Sequence, residues 1–542
     1  MTKPNIPAED GMLTLRRPFH RVRRFLIHPG VRFPAVNPQR DNRHKTKPSA
    51  KAGMLGWVTG HLLVISLIVT VVLALLSEVP WIAQPARENI LRLLVTSFFA
   101  ALFTINPISV RVRSLLSQSA LPWLLLVLLW CIVNTVWPPT NSLGFGSIMR
   151  PIAILEDLRI AICVGVFVAA GYGLRAADIK PMALMVLAMT IAFSFYGLAT
   201  AGTAGAGHTL TSVFGNHEQA GSFVMLFLPM AVAMAINGNG ETKLAMVFQA
   251  GTVVLACTLI LSRARSAWIG ELLGLLVFFI TWFRYSPIRL SNLNRTKIIG
   301  PALLLCVCVV AFALSAEVNP LLVARLSTFA NGAQDASLAE RIHRWTAACR
   351  MLSERPVTGL GPGAFPVLQK VWTGSGDAPD EVLRHGTGHS NLAHNFYVQW
   401  GADTGMVGLS LYVAALVTFL LGVTWLLPKL QPGINRNIAI GSLASAVCAC
   451  GDMVSSPSYS YPAESILSWM IMGLGIAACR AGRGGEDSDR TVLPRTPHWI
   501  LVASLASGIL VSVIVFVVGK RHPMSQRTPV HPSSTRLHTA GR

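Results

Sequence analysis

The chain is dominated by apolar blocks that are long enough to cross a lipid bilayer. A membrane-spanning helix needs about 20 consecutive apolar residues. The 542-residue chain is 52% hydrophobic and only 13% charged, whereas soluble proteins usually carry about 25% charged residues. Because a backbone inside lipid must satisfy its own hydrogen bonds, each block is predicted to be an α-helix. The sequence therefore predicts an all-α, polytopic membrane helix bundle.

Thirteen blocks have this character. They are predicted at residues 57–76, 89–106, 120–138, 152–171, 182–200, 219–237, 244–261, 267–283, 298–315, 404–427, 437–454, 465–479 and 498–519. The second block contains Arg92, and the fourth contains Glu156, Asp157 and Arg159. These two fit a lipid environment least well, because charged side chains are costly there. The expected fold is thus a bundle of about 12–13 transmembrane helices with one large outer loop that contains short helices.

The basic charge is concentrated at the two ends of the chain. Residues 1–56 hold twelve Lys and Arg against three acidic residues, and the part after residue 519 holds five against none, within a net charge of +21. The N-terminal stretch interleaves Arg with aromatic residues, which would suit RNA or anionic lipid. A basic cytoplasmic segment that only sets topology is the favoured interpretation. Nucleic acid is therefore not expected as a partner.

The loops favour a cytoplasmic N-terminus. With that placement most Lys and Arg of the short loops fall inside, as the positive-inside rule requires. Thirteen helices then put the basic C-terminal tail outside. Whether one helix is miscounted or the tail is tolerated there stays open at this stage.

Composition divides the chain into five parts. These are a disordered cytoplasmic N-terminus at 1–56, a membrane domain at 57–480, a flexible cytoplasmic linker at 481–497, an extra C-terminal transmembrane helix at 498–519 and a disordered tail at 520–542. The linker, rich in Gly, Pro and charge, makes the last helix look like an appended element. The membrane domain contains the large outer loop at about 316–396, which carries seven basic and seven acidic residues.

The outer loop is predicted to contain an amphipathic helix at about 338–354. Apolar side chains recur there with 3-4-3 spacing at Ile342, Trp345, Cys349 and Leu352, which gives a helix one apolar face. Pro356 is expected to end this helix, and the glycine-rich stretch 359–363 is expected to form a tight turn.

Several side chains on the outer side could carry chemistry. The imidazole of His394, about ten residues before the tenth span, could take a proton near neutral pH, although a histidine in a polar loop is usually only solvated. Arg263 and Arg265 lie in a short outward turn, and Arg341 projects from the loop helix. A guanidinium can hold phosphate oxygens with two hydrogen bonds, and the alternative is snorkelling toward lipid headgroups. These residues suggest an outward site for a phosphate-bearing substrate, and no Cys/His cluster indicates a metal.

Four motifs, in order, resemble the O-antigen ligase and polymerase family. "HNFYVQWGADTGMVG" fits its pattern of His-Asn, nine residues, Gly, two residues and Gly, which here fall on His394, Asn395, Gly405 and Gly408. "ERIHRWTAACRMLSERPVTGLGPGAF" is similar to the family segment that precedes this pattern. "LSRARSAWIG" is similar to its Ser-Arg turn, with Arg265 at the family arginine, and "FGNHEQAGSFVMLFLPMA" is similar to the start of its sixth span. The resemblance covers about residues 214–425.

The resemblance implies a metal-independent, inverting glycosyltransferase that uses no cofactor. The donor would be a glycan on undecaprenyl diphosphate at the periplasmic face of the bacterial inner membrane. The acceptor would be the lipid A core for a ligase, a lipid-linked repeat for a polymerase, or a protein hydroxyl for an O-oligosaccharyltransferase. In this assignment His394 is catalytic, and Asn395, Gly405 and Gly408 set the geometry. The diphosphate would be bound by Arg265, Arg341, Arg263 and Arg159.

The sequence departs from the family pattern in three places. Asp403 stands where the family often has Glu, Glu218 replaces an Asn that commonly follows the first, and the C-terminal span is extra to the usual twelve. Two other functions fit part of the sequence. A transporter of lipid-linked sugars suits the number of spans, but no inverted repeat is visible. A non-enzymatic envelope scaffold would leave the outward arginines unexplained.

Overall fold

A computed structural model describes residues 62–74, 120–203, 210, 214, 216–236, 242–285, 336–373, 392–483 and 495–520. All regular elements in these ranges are helical, so the all-α prediction is confirmed. The thirteen helices of the described residues are α1 (Leu62–Ala74), α2 (Leu121–Val136), α3 (Gly146–Val168), α4 (Ala176–Thr203), α5 (His217–Ile236), α6 (Thr242–Ser262), α7 (Arg265–Tyr285), α8 (Ala336–Glu354), α9 (Ala364–Thr373), α10 (Phe396–Leu426), α11 (Ile434–Asp452), α12 (Pro462–Ala481) and α13 (His498–Lys520).

Seven helices in the described part of the chain are long and apolar enough to cross a membrane, namely α2, α4, α5, α7, α10, α12 and α13. The predicted blocks at 152–171, 244–261 and 437–454 are also helical, as α3, α6 and α11. The predicted spans at 89–106 and 298–315 lie outside the described residues, as do the N-terminus at 1–56 and nearly all of the tail. A polytopic membrane bundle is therefore confirmed in outline.

The centre of the bundle is formed by α5 and α12, whose apolar stretches are almost wholly buried. Small residues let helices approach closely around them, which is the usual basis of packing between membrane helices. On α7, for example, a Cβ added at Gly270 would lie 2.7 Å from the carbonyl oxygen of Cys448 on α11. α5, α7 and α11 thus form a tight group. The start of α5, the start of α7 and the end of α11 lie on the side where α10 begins.

The helix α10 is broken near its start, at Gly405. This residue has φ +71° and ψ −177°, and a Cβ there would lie 2.1 Å from the carbonyl oxygen of Val357. Only glycine tolerates both the dihedral angles and the contact. The loop after α8 fills the break with three backbone hydrogen bonds: Leu360 N–H to Ala402 (2.9 Å), Gly361 N–H to Asp403 (2.8 Å) and Met406 N–H to Pro356 (2.8 Å). The helix predicted at 404–427 therefore begins earlier and has two unequal parts.

The C-terminal helix α13 is not an appended element. It runs antiparallel to α10, because Ser512 donates to the carbonyl of Met406 (3.2 Å) while Gly508 packs against Ser410. A Cβ at Gly508 would lie 2.2 Å from the Ser410 carbonyl oxygen, and the Ser410 and Ser512 hydroxyls are 2.9 Å apart. The last helix thus supports the broken part of α10. It ends on the side where α10 begins, which is where a count of thirteen spans places the C-terminal tail.

The amphipathic helix predicted at 338–354 is confirmed as α8. Most of the predicted apolar face is buried, since Cys349 and Leu352 are buried and Trp345 is half-buried, but Ile342 is 46% exposed. The buried positions are Ala347, Ala348, Cys349, Met351 and Leu352, and three of them join a second, smaller apolar core with residues of α9 such as Phe365. α9 begins where the buried Asp403 carboxylate accepts the Phe365 N–H (2.6 Å). A carboxylate at this position stabilises the start of a helix.

Candidate functional site

The backbone around His394 is held by α8 and by the start of α10. On one side, Arg344 donates to the carbonyl of Leu392 (2.9 Å) and the Trp345 indole donates to that of Ala393 (2.8 Å). On the other side, Asn395 caps α10 by accepting the Val398 N–H at 3.1 Å. His394 itself has φ +52°, which is uncommon for a residue other than glycine. Such a conformation persists when the surrounding contacts determine it.

The side chain of His394 lies in a cluster with Glu218 and Arg341, called here the histidine cluster. Glu218 is in the first turn of α5, where the Asn216 side chain accepts its N–H (2.9 Å) and so begins the helix. One carboxylate oxygen of Glu218 accepts from Arg341 at 2.7 Å, and the other lies 3.1 Å from Nδ1 of His394. Arg341 also donates to the carbonyl of Ser455 (2.8 Å). The three side chains are only 15–21% exposed.

The turn that carries Arg263 and Arg265 lies at the same end of the bundle. One helical turn after Glu218, a Cβ at Gly221 would lie 2.5 Å from the Ala264 Cβ and 2.7 Å from the Ser262 hydroxyl. The turn is therefore packed directly against the start of α5. Arg263 has φ +57° and is only 5% exposed, whereas Arg265 is half-buried at the start of α7. α5 thus brings this turn and the histidine cluster to one end of the helix.

Arg159 belongs to a different group, called here the α3 pair. Its Nε donates to Glu156 (2.8 Å) and another guanidinium nitrogen donates to the carbonyl of Tyr459 (2.7 Å). The pair lines a cavity of about 340 Å³ between α3, α9 and α10. The Phe396 and Trp400 rings, stacked with centroids 5.6 Å apart, also line it. The segment 453–461 connects the two groups, since each arginine donates to one of its carbonyls.

Comparison with known proteins gives a match to one family model. Residues 250–413 match the family model described as O-antigen ligase. This segment of the chain is similar to the O-antigen ligase family. The match contains the 263–265 turn, α8 and the His394 segment. No curated protein matches the chain. The recognised resemblance to this family is confirmed over these residues, and the match supports an enzyme role of the general ligase or polymerase type. The apolar helices support a multi-pass membrane protein.

Within the O-antigen ligase segment, three positions act on the backbone of α10. Asn395 caps it, and Gly405 breaks it against the loop after α8. The carbonyl of Gly408 accepts from the Trp400 indole (3.3 Å), and a Cβ at Gly408 would lie 3.2 Å from the Trp130 ring on α2. These residues therefore shape the element that follows His394 and do not join the histidine cluster themselves.

Glu218 is the residue of the site that sequence reasoning missed. In the sequence it stands out only as a departure from the family's usual Asn, yet it contacts both His394 and Arg341. A carboxylate in the first turn of an otherwise apolar helix is a signal that could have identified it, because ionisable groups at a membrane helix end usually have a partner or a function. Across the described ranges, no three His, Cys, Asp or Glu side chains are grouped as metal ligands would be.

Proposed function

We propose that this protein transfers a glycan from undecaprenyl diphosphate to an acceptor hydroxyl at the outer, periplasmic face of the bacterial inner membrane. The observation that carries the proposal is the position of one imidazole and several guanidiniums at one end of the bundle. His394 and Arg341 share Glu218, and the 263–265 turn packs one helical turn away. The family match supports the same class of reaction.

In the proposed reaction, His394 acts as the general base. Its imidazole takes the proton of the acceptor hydroxyl while the oxygen attacks the anomeric carbon of the donor sugar. The new oxygen–carbon bond forms as the bond from carbon to phosphate oxygen breaks. The electron pair of that bond leaves on the diphosphate, which gains negative charge. Attack opposite the leaving group inverts the anomeric centre, and no metal or cofactor is required in this scheme.

Arginines would stabilise the leaving diphosphate. Arg341, Arg265 and Arg263 bring three guanidiniums to this end of the bundle. Guanidiniums that are already in place cost no reorganisation as the charge develops, and their planar forks match phosphate oxygens. Arg159 is kept as a further contact from the cavity side. It is the weaker candidate, because it lies in the α3 pair and has no contact with the histidine cluster in the hydrogen bonds described above.

The acceptor distinguishes three versions of the proposal. A ligase would transfer to the lipid A core, a polymerase to another lipid-linked repeat, and an O-oligosaccharyltransferase to a protein hydroxyl. The proton transfer and the leaving group are the same in all three, so the site geometry favours none of them. Deletion of the gene would separate them, since unligated lipid-linked polymer would indicate a ligase and single repeats a polymerase.

The test is His394→Ala, compared with His343→Ala as the matched control. His343 is exposed on α8 and belongs to the same segment of the chain. We expect His394→Ala to abolish glycan transfer and to leave the protein in the membrane, whereas His343→Ala keeps normal transfer. The measurement is surface glycan together with the lipid-linked precursor. A wild-type amount of surface glycan in cells that carry only the His394→Ala protein would refute the assignment of His394 as the general base.

A further inference from the structure

We propose that Glu218 is a positioning residue for His394. Its carboxylate accepts the Nδ1 proton, leaves Nε2 as the atom that takes the acceptor proton, and stabilises the imidazolium that results. This inference rests on the proposed function and adds a residue that lies before the matched family segment. It concerns a position where the resemblance leads one to expect Asn.

The orientation of the imidazole supports this role. Nδ1 is buried and faces Glu218 at 3.1 Å, whereas the side chain as a whole keeps 21% of its surface exposed. The accessible part of the ring is therefore the side that carries Nε2. A neutral imidazole has one protonated and one unprotonated nitrogen, and a neighbouring acceptor selects which one keeps the proton. Although the contact departs from ideal hydrogen-bond direction, a carboxylate at this distance favours the proton on Nδ1.

The carboxylate is itself held in place. The side chain of Asn216 fixes its backbone at the start of α5, and Arg341 binds its second oxygen at 2.7 Å. Arg341 is anchored in turn on the carbonyl of Ser455. Glu218 therefore presents its remaining oxygen to the histidine from a fixed position. A carboxylate that orients a histidine and stabilises its charged form is an established arrangement in acyl transfer.

The charge balance gives a second reason for a carboxylate here. Around His394 and Glu218, positive groups come from α8, α5 and the turn before α7: Arg341, Arg344, His217, Arg263 and Arg265. The other acidic groups here include Asp452, which is buried at the end of α11, and Glu340, which is bound to Arg344 on α8. Nearby positive charges disfavour an imidazolium, and a carboxylate in contact favours it. An Asn at position 218 could orient the ring but could not supply this charge.

The test uses chemical modification of His394 and needs no substrate. The purified full-length protein in detergent is treated with diethyl pyrocarbonate, which acylates neutral imidazole, and the peptide containing His394 is quantified by mass spectrometry across pH. We compare the wild type with Glu218→Gln, and use Glu156→Gln as the control in the α3 pair. A melting curve of each variant checks that it folds.

We expect the modification profile of Glu218→Gln to move to lower pH by about one unit, the size of shift that one charge in contact produces. The direction follows because the imidazolium is less stable without the carboxylate, so the neutral reactive form appears at lower pH. Glu156→Gln should leave the profile unchanged. If the Gln variant does not fold, Glu218→Asn removes the same charge. Overlapping profiles of the wild type and a folded charge-removing variant would overturn the inference.

Activity then separates this inference from the proposed function. If both hold, Glu218→Gln lowers kcat about 10-fold or more with little change in KM for the donor, since it acts through the base. A shifted modification profile in an enzyme that tolerates His394→Ala would mean that Glu218 orients a histidine without a catalytic role. If the profile does not shift and the His394→Ala variant is inactive, His394 remains the general base and Glu218 has no part in the mechanism.

Discussion

The histidine cluster and the α3 pair are built alike and differ in one respect. In each, an arginine binds a glutamate and donates to a carbonyl of the 453–461 segment. The histidine cluster adds an imidazole and lies near two more arginines, whereas the α3 pair faces a cavity lined by aromatic rings. The first can move a proton and attract an anion. The second is charge-balanced and can only offer hydrogen bonds.

This difference teaches that an arginine in the helix bundle does not by itself identify the diphosphate site that we propose. The useful criterion is how much of the arginine's positive charge a neighbouring carboxylate already neutralises. Arg159 has Glu156 within 2.8 Å on its own helix, whereas Arg341 shares its glutamate with a histidine. Mutations that change one group and spare the other can therefore test whether the two have different functions.

The largest effect should come from Gly405→Ala, which disturbs the break in α10 and its contacts with the loop after α8. The added Cβ would lie 2.1 Å from the Val357 carbonyl oxygen, at a φ that alanine disfavours. We expect a loss of about 3 kcal/mol in stability, seen as a lower yield and melting temperature of the purified protein. Gly422→Ala is the matched control, because it lies in the same helix with no atom within 4 Å. Equal stability of the two variants would contradict the account of the break.

Next in size is Arg341→Lys, which keeps the charge and removes the planar fork. We expect roughly a 100-fold loss of kcat, comparable with the loss of one preorganised donor to a developing anion. The measurement is transfer from purified lipid-linked donor, with Arg350→Lys on α8 as the control. Arg350 donates to the carbonyl of Trp372 and lies outside both groups. A fully active Arg341→Lys enzyme would support a role in packing or snorkelling.

The smallest effect on activity should come from the α3 pair. Arg159→Gln leaves Glu156 without its partner, so we expect a loss on the order of 2 kcal/mol in stability and at most about a 10-fold change in activity. The double variant with Glu156→Gln should recover part of that stability, because it removes the unpaired charge as well. If Arg159→Gln instead lowers kcat as strongly as Arg341→Lys while the protein stays folded, the two groups act on the same anion.

Much of the fold could be predicted because lipid imposes a simple rule on the sequence. Blocks of about 20 apolar residues must be helices there, and seven such helices are present among the described residues. The amphipathic α8 was also predictable from local spacing. Its buried face was predictable in part: Cys349 and Leu352 are buried as expected, whereas Ile342 is exposed. The remainder depends on neighbours that are distant in the chain.

The sequence by itself determined the helical membrane class and the resemblance to the O-antigen ligase family, and it singled out His394, Arg265 and Arg341, because these follow from local composition and short motifs. Only the tertiary structure decided which charges meet. Glu218 lies 176 positions before His394 in the chain, yet the two are in contact. Arg159 is paired on its own helix with Glu156. Hydrophobic patterning fixes where helices lie in a membrane, but the ion pairs between them depend on how those helices pack and rotate against one another.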